Sequence, residues 1–304
     1  MTPQSAATRQ EMSEPEFDLF FPDLQRRGVE YNARASVADF DACVREYAEL
    51  SAQAKASCAG IYDLEYGLAS AEKLDLFPVP GPHQPAPLFV FIHGGYWRSQ
   101  SKADAALMAK SFTDAGIAVA TLEYTLLPKA TLAEVVREMR SAIAWVYHNA
   151  AAFGVDPQRL HVGGSSAGGH LVGMLLAEGW HDEFSVPQDV LKGAVALSGL
   201  FDIRPICDIE ANEWLRLVPY QAKALSPLFL VPHVAPPLIL SVGGLETDGF
   251  KNQTLAYEAA WRRKGHAVTL VDAPDRNHFN LLSDLSRPER PLTQAVLQMI
   301  LGQV

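Results

Sequence analysis

Cysteine is scarce in this chain: three in 304 residues, at positions 43, 58 and 207, with no Cys-x-x-Cys pair. An odd, widely spaced set argues against a disulfide framework and against a cysteine zinc site, and reduced thiols in a cytoplasmic compartment are the simpler expectation. Long apolar runs are also missing. None reaches the 18 residues that would suggest a membrane-spanning helix, and Met1 to Phe17 is polar and partly acidic, without the apolar stretch of a signal peptide. Nor is there an excess of positive charge. The formal net charge is −10, which argues against nucleic acid and anionic membrane surfaces as partners. An anionic ligand would need local basic groups, because the general field repels it. Internal repeats and low-complexity tracts are absent too. What remains is a composition ordinary for a globular chain, with 48% hydrophobic and 20% charged residues. The expected partner is a small molecule, with a homodimer as the macromolecular association considered.

Short apolar runs alternate with longer helical patterns, the signature of a mainly parallel sheet covered by helices on both faces. The runs place strands at 72–78, 88–93, 117–123, 160–164, 192–198, 238–243 and 268–272. Helices are expected at 36–56, 103–115, 132–151, 166–178, 253–264 and 292–301. Residues 1–14 read as a flexible tail and 15–304 as one α/β domain. Two stretches without a clean period, 17–31 and 201–225, suggest small cap elements, drawn from 15–55 and 201–225.

Gly164-Ser165-Ser166-Ala167-Gly168 reads G-x-S-x-G between a strand pattern and a helix pattern. In that context the serine sits on a tight turn with its hydroxyl exposed, and small neighbours let strand and helix approach closely. A second segment, His93-Gly94-Gly95-Tyr96-Trp97-Arg98, follows the buried-strand signal of residues 88–92. Such a loop turns backbone N–H groups toward a reacting carbonyl oxygen. Together, and in this order, the two motifs point to an α/β-hydrolase fold with Ser166 as nucleophile.

A serine hydroxyl needs a base, and the base needs an orienting acid. In this fold the chain order is Ser, acid, His. Of the later histidines, His278 follows the 268–272 strand and is the expected base. His170 lies four residues after Ser166 and reads as a core histidine. The acid belongs just past the 238–243 strand, where Glu246 and Asp248 compete. Glu246 is nearer the strand end and is preferred. Asp248 lies deeper in the turn, where helix capping is the alternative role.

With these residues in place, the chain resembles the arylformamidase (kynurenine formamidase) branch of the α/β-hydrolases, near the hormone-sensitive-lipase-like esterases. Further matches are Tyr31-Asn32-Ala33-Arg34, Leu74-Asp75-Leu76-Phe77, Glu123-Tyr124 with Pro128, Leu197-Ser198-Gly199-Leu200-Phe201-Asp202, Asn212 with Leu215, and Ser226-Pro227. The family pattern sets the acid four residues before the Phe of Phe-x-x-Gln, here Phe250 to Gln253, and so implies Glu246. Many relatives carry Asp at that position, and His is common where this chain has Ser165. The resemblance implies Ser166, Glu246 and His278 as a triad, with Gly95, Tyr96 and Ala167 as oxyanion donors, and no metal or other cofactor. It further implies two-step hydrolysis of N-formyl-L-kynurenine to L-kynurenine and formate. A carboxylesterase acting on small esters is the rival activity, and a non-catalytic binding protein on the same scaffold is the rival class.

Substrate contacts are the least specified. Trp97 is expected beside an aryl substrate, as is Tyr96, although both could equally pack beneath the loop. Asn212 is placed in the cap facing the pocket. Arg98, Arg204 and Arg276 are each eligible to hold a substrate carboxylate, and no motif selects among them.

Overall fold

Eight strands form one sheet in the order β1-β2-β4-β3-β5-β6-β7-β8, in a computed structural model that describes residues 17–81 and 84–302. The strands are β1 Ile61–Glu65, β2 Lys73–Phe77, β3 Ala86–Ile92, β4 Ala118–Leu122, β5 Val155–Ser165, β6 Leu191–Leu197, β7 Leu238–Gly243 and β8 Val268–Ala273. β2 pairs antiparallel with β1 and with β4. All remaining pairings are parallel. Every residue of β3 is buried, as expected of a central parallel strand with both faces covered.

The helices are α1 Leu24–Glu30, α2 Phe40–Ser57, α3 Ala109–Asp114, α4 Leu132–Asn149, α5 Ala167–Leu176, α6 Asn212–Leu215, α7 Pro219–Ala224, α8 Asp248–Arg263, α9 Asn280–Ser283 and α10 Pro291–Leu301. Local chemistry fixes several of their ends. Thr131 and Glu134 form a reciprocal capping box that starts α4. The Asp39 carboxylate accepts from the Ala42 N–H to start α2, and Pro291 opens α10, where its missing N–H costs nothing. α2, α3, α9 and α10 associate in one layer, directly or through the 284–286 turn. α4 and α5 pack together in another, joined to α8 through residues 227–229.

The seven expected strands are all present, within a few residues of their expected bounds. The sequence reading lacks β1, an edge strand with exposed residues at four of its five positions and so no buried alternation to detect. It also lacks α1, which is too short to show a period. The expected helix 103–115 is two pieces, a 3₁₀ turn at Lys102–Ala105 and then α3. The stretch read as a tail, 1–14, lies outside the described residues. Among the described residues, no helix is long and apolar enough to cross a membrane.

Candidate active site

β5 delivers its last residue, Ser165, to the C-terminal edge of the sheet, and Ser166 makes the turn into α5. Its backbone stands at φ 57°, ψ −118°, a sparsely populated conformation for a residue with a side chain. Two hydrogen bonds hold the turn: the Ser166 N–H donates to the Leu197 carbonyl at 2.8 Å, and the His170 N–H donates to the Ser166 carbonyl at 3.0 Å. The glycines on either side are obligatory for the close approach. A Cβ on Gly164 would stand 2.4 Å from the Gly168 carbonyl oxygen, and one on Gly168 would stand 2.1 Å from that of Ile92.

The His-Gly-Gly loop arrives from β3 and passes over this turn. A Cβ on Gly94 would lie 3.3 Å from Cβ of Ser166. Gly95, Tyr96 and Trp97 then all adopt positive φ, at 89°, 54° and 58°. Among the described residues, no loop or cap hydrogen bond uses the N–H of Gly95, Tyr96 or Ala167. The loop is fastened through its carbonyls instead. That of Gly94 sits 2.9 Å from the Tyr124 hydroxyl and 3.0 Å from Nδ1 of His93, while Tyr96's accepts from Nε1 of Trp214 at 3.1 Å. Tyr124 stacks on the His93 ring, which contacts Glu123 at 3.1 Å on its other edge. In a trans peptide the carbonyl and the following N–H point in opposite directions. Anchoring the Gly94 carbonyl therefore aims the Gly95 N–H. Tyr124→Phe keeps the stacking and removes one anchor. It is expected to lower kcat about tenfold with KM nearly unchanged, less than the about 10²–10³ that loss of a direct oxyanion donor costs. Steady-state kinetics on any turned-over ester would check this, and an unchanged kcat would remove the positioning role.

Glu246 and His278 come from the loops after β7 and β8, whose backbones are stitched together. Gly244 N–H donates to Ala273, and Leu245 N–H to Arg276, at 2.8 and 2.9 Å. Oε2 of Glu246 lies 2.6 Å from Nδ1 of His278. Its Oε1 accepts from the Gly243 N–H and from the Ser198 hydroxyl, each at 2.6 Å. The carboxylate is buried, and the His278 ring packs 4.3 Å from that of Phe250. Asp248, the competing acid, is instead the first residue of α8. Its side chain is 64% exposed and lies 3.9 Å from Lys251. The structure thus sets Glu246, not Asp248, against the histidine.

A cavity of about 690 Å³ opens above this edge and is lined by both Ser166 and His278. Gly95 and Tyr96 line it from the loop, Tyr31, Arg34, Phe40 and Tyr47 from the N-terminal segment, and Ile209 and Trp214 from the segment after β6. Two sequence expectations fail here. Trp97 is fully buried beneath the loop, edge-on to His170 at 5.0 Å, and does not line the cavity. Asn212 spends its amide on the Cys207 and Leu217 backbones and is absent from the cavity lining. Trp214 supplies the aromatic wall instead. His170 is the core histidine expected: burial lowers its pKa to about 4, and its Nε2 contacts the Leu225 carbonyl at 2.7 Å.

Of the three eligible arginines, Arg204 makes a bidentate pair with buried Asp202, and Arg276 pairs with Asp284 and Asp275. Only Arg98 lines the cavity, joined by Arg34, which sequence reasoning passed over within Tyr31-Asn32-Ala33-Arg34. Ser198 was also unassigned. Its place just past the end of a parallel strand, where sites of open α/β sheets gather, was the available signal. Among the described residues, no cluster of three or more His, Cys, Asp or Glu is arranged to hold a metal ion.

Comparison with known proteins shows what the chain is similar to. The BD-FAE family model matches residues 74–247. The kynurenine formamidase of Salmo salar is 30% identical over 246 residues, covering 79% of this chain and 82% of that protein. The crystal structure of a candidate thioesterase from Silicibacter sp. TM1040 superposes with a TM-score of 0.75 at 28% identity, over 88% of this chain and 97% of that one. Esterase B from Lactobacillus rhamnosis shares the fold with a TM-score of 0.67 at 17% identity, over 90% of this chain and 95% of that one. The chain is therefore a member of the BD-FAE family and of the kynurenine-formamidase-like branch of the α/β-hydrolases.

Proposed function

We propose that this hydrolase is a serine enzyme that cleaves N-formyl-L-kynurenine to L-kynurenine and formate through an acyl-enzyme. The observation that carries the reading is the 2.6 Å contact between Glu246 and His278, with His278 and Ser166 lining one cavity. Kynurenine formamidases matching most of the chain support the substrate.

In this mechanism Ser166 Oγ attacks the formyl carbon while His278 Nε2 takes its proton. Glu246 holds Nδ1–H, which keeps Nε2 free to accept and stabilises the imidazolium that forms. The developing oxyanion is held by the N–H groups of Gly95, Tyr96 and Ala167, the last at the positive end of α5. His278 then gives its proton to the departing nitrogen, the C–N bond breaks and the arylamine leaves. Water, deprotonated by His278, attacks the formyl ester. The intermediate collapses with the proton returned to Ser166, releasing formate.

A second reading, a carboxylesterase using the same residues, is favoured by the structural likeness to Esterase B and by sequence relatives among isoprenylcysteine methylesterases. The two separate on kcat/KM for N-formylkynurenine against p-nitrophenyl acetate. A formamide value near ~10⁵ M⁻¹s⁻¹, well above the ester, is expected. Good ester turnover with negligible formamide turnover would overturn the formamidase assignment and keep the chemistry.

A further inference from the structure

The cavity above Ser166 is lined by two arginines, Arg34 and Arg98, in a chain whose overall charge is −10. Among the described residues neither is in an ion pair, whereas Arg204 and Arg276 are both engaged with buried or partly buried carboxylates. Each free guanidinium rests on an aromatic ring that is itself tied to the proposed machinery. The Arg98 guanidinium carbon lies 4.0 Å from the Trp214 ring centre, and Trp214 donates its indole N–H to the Tyr96 carbonyl in the oxyanion loop. That of Arg34 lies 4.6 Å over Phe40, whose ring packs 5.2 Å from Phe279, the neighbour of His278. Contact with an aromatic face leaves the N–H edges of a guanidinium available, and those edges match a carboxylate with two parallel hydrogen bonds.

We infer that Arg98 and Arg34 form an anion subsite that holds a carboxylate on the leaving portion of the substrate. The inference rests on the hydrolase reading of this cavity and deepens it by naming the side chains that meet a charge beyond the aryl ring. The aromatic lining, Tyr31, Phe40, Tyr96 and Trp214, accepts the ring, and the arginines accept the charge. Asp104 and Glu210 line the same cavity, so a ligand bearing both an ammonium and a carboxylate meets complementary charges of both signs. The overall field of the chain opposes anions, so the local pair of arginines has to supply the attraction.

The test uses unreactive ligands, so that it does not depend on turnover. Isothermal titration of the purified full-length protein with 3-phenylpropanoate and with 3-phenylpropan-1-ol compares a carboxylate with a neutral group on the same frame. The carboxylate is expected to bind at least about tenfold more tightly, the factor that one charge-assisted hydrogen bond carries, with the preference shrinking as salt is added. In Arg34→Gln/Arg98→Gln the ratio should approach one. Since both side chains are exposed, the substitutions leave the core untouched, and a matching thermal transition verifies it. Equal binding of the two ligands by the wild-type protein, or a preference that survives in the double variant, would overturn the subsite. Failure of the formamidase reading would show only in the turnover of formamide against ester, leaving this ratio intact.

Discussion

Ser166→Ala is expected to lower kcat by about 10⁵–10⁶, the scale on which loss of a serine nucleophile acts. The size follows from what the substitution leaves and what it takes. On the proposed mechanism it takes the atom to which the acyl group becomes attached, and with it the two-step path. It leaves the N–H groups of Gly95, Tyr96 and Ala167, the start of α5 and the whole cavity wall, so KM should change little. A residual rate of about 10³–10⁴ over water from those donors remains possible by water attack. The fold should tolerate the change, since the turn is held by backbone hydrogen bonds to Leu197 and His170 that alanine keeps. Two measurements check this together. Steady-state kinetics should show the loss, and intact-mass analysis after treatment with a fluorophosphonate should show one adduct on the wild-type protein and none on the variant. Retention of more than about a hundredth of the wild-type kcat would rule out the covalent route through this residue.

For Glu246→Gln the expected loss is about 10⁴ in kcat, comparable with the effect of replacing a triad carboxylate by its amide. Here the hydrogen-bond pattern dictates the direction. The Oε1 position accepts from both Gly243 N–H and Ser198 Oγ–H, so it must remain a carbonyl oxygen in the glutamine. The NH₂ group is then forced into the Oε2 position, 2.6 Å from Nδ1 of His278. A donor there requires Nδ1 to accept, which places the ring proton on Nε2 and deprives Ser166 of its base. Glu246→Asp is one methylene shorter. It cannot hold both the histidine and the Ser198–Gly243 pair at these distances, and should fall between wild type and Gln. Asp248→Asn, at an exposed position on α8, should stay within about twofold of wild type, as surface changes away from such networks do. Reversal of the order, with Asp248→Asn the more damaging, would transfer the acid's role.

The parts of this site that could be read in the chain are those fixed by local backbone requirements. Gly164, Ser166 and Gly168 declare a strand–helix turn because no larger residue fits, and His278 stands out because only one late loop follows the right strand. Glu246 against Asp248 was settled by reach across two loops, which spacing along one loop does not encode. Trp97 shows the limit from the other side. A tryptophan next to an oxyanion loop is equally well placed to line a pocket or to prop the loop from below, and only the positive φ at residues 95 to 97 decides which way it turns. Arg34 appears in the sequence only as part of the Tyr31–Arg34 match and carries no role there, since tertiary contacts alone bring it to the site. β1 stayed hidden because its faces are mostly wet.

The wall of the cavity formed by residues 29–47 is anchored almost everywhere except to the sheet. The Tyr96 hydroxyl donates to the Tyr31 carbonyl, the Tyr31 hydroxyl to Leu19, Thr247 to Glu30, and Tyr47 to Phe279. The stretch matched by the family model, 74–247, contains Ser166 and Glu246 but neither this segment nor His278. Inheritance can therefore act on the two independently. A lineage could exchange or reshape the leading seventy residues, altering which molecules gain admission, while the stretch carrying Ser166 and Glu246 passes down unaltered. Kinship detected through the shared middle of such chains therefore says little about the wall that the opening residues build.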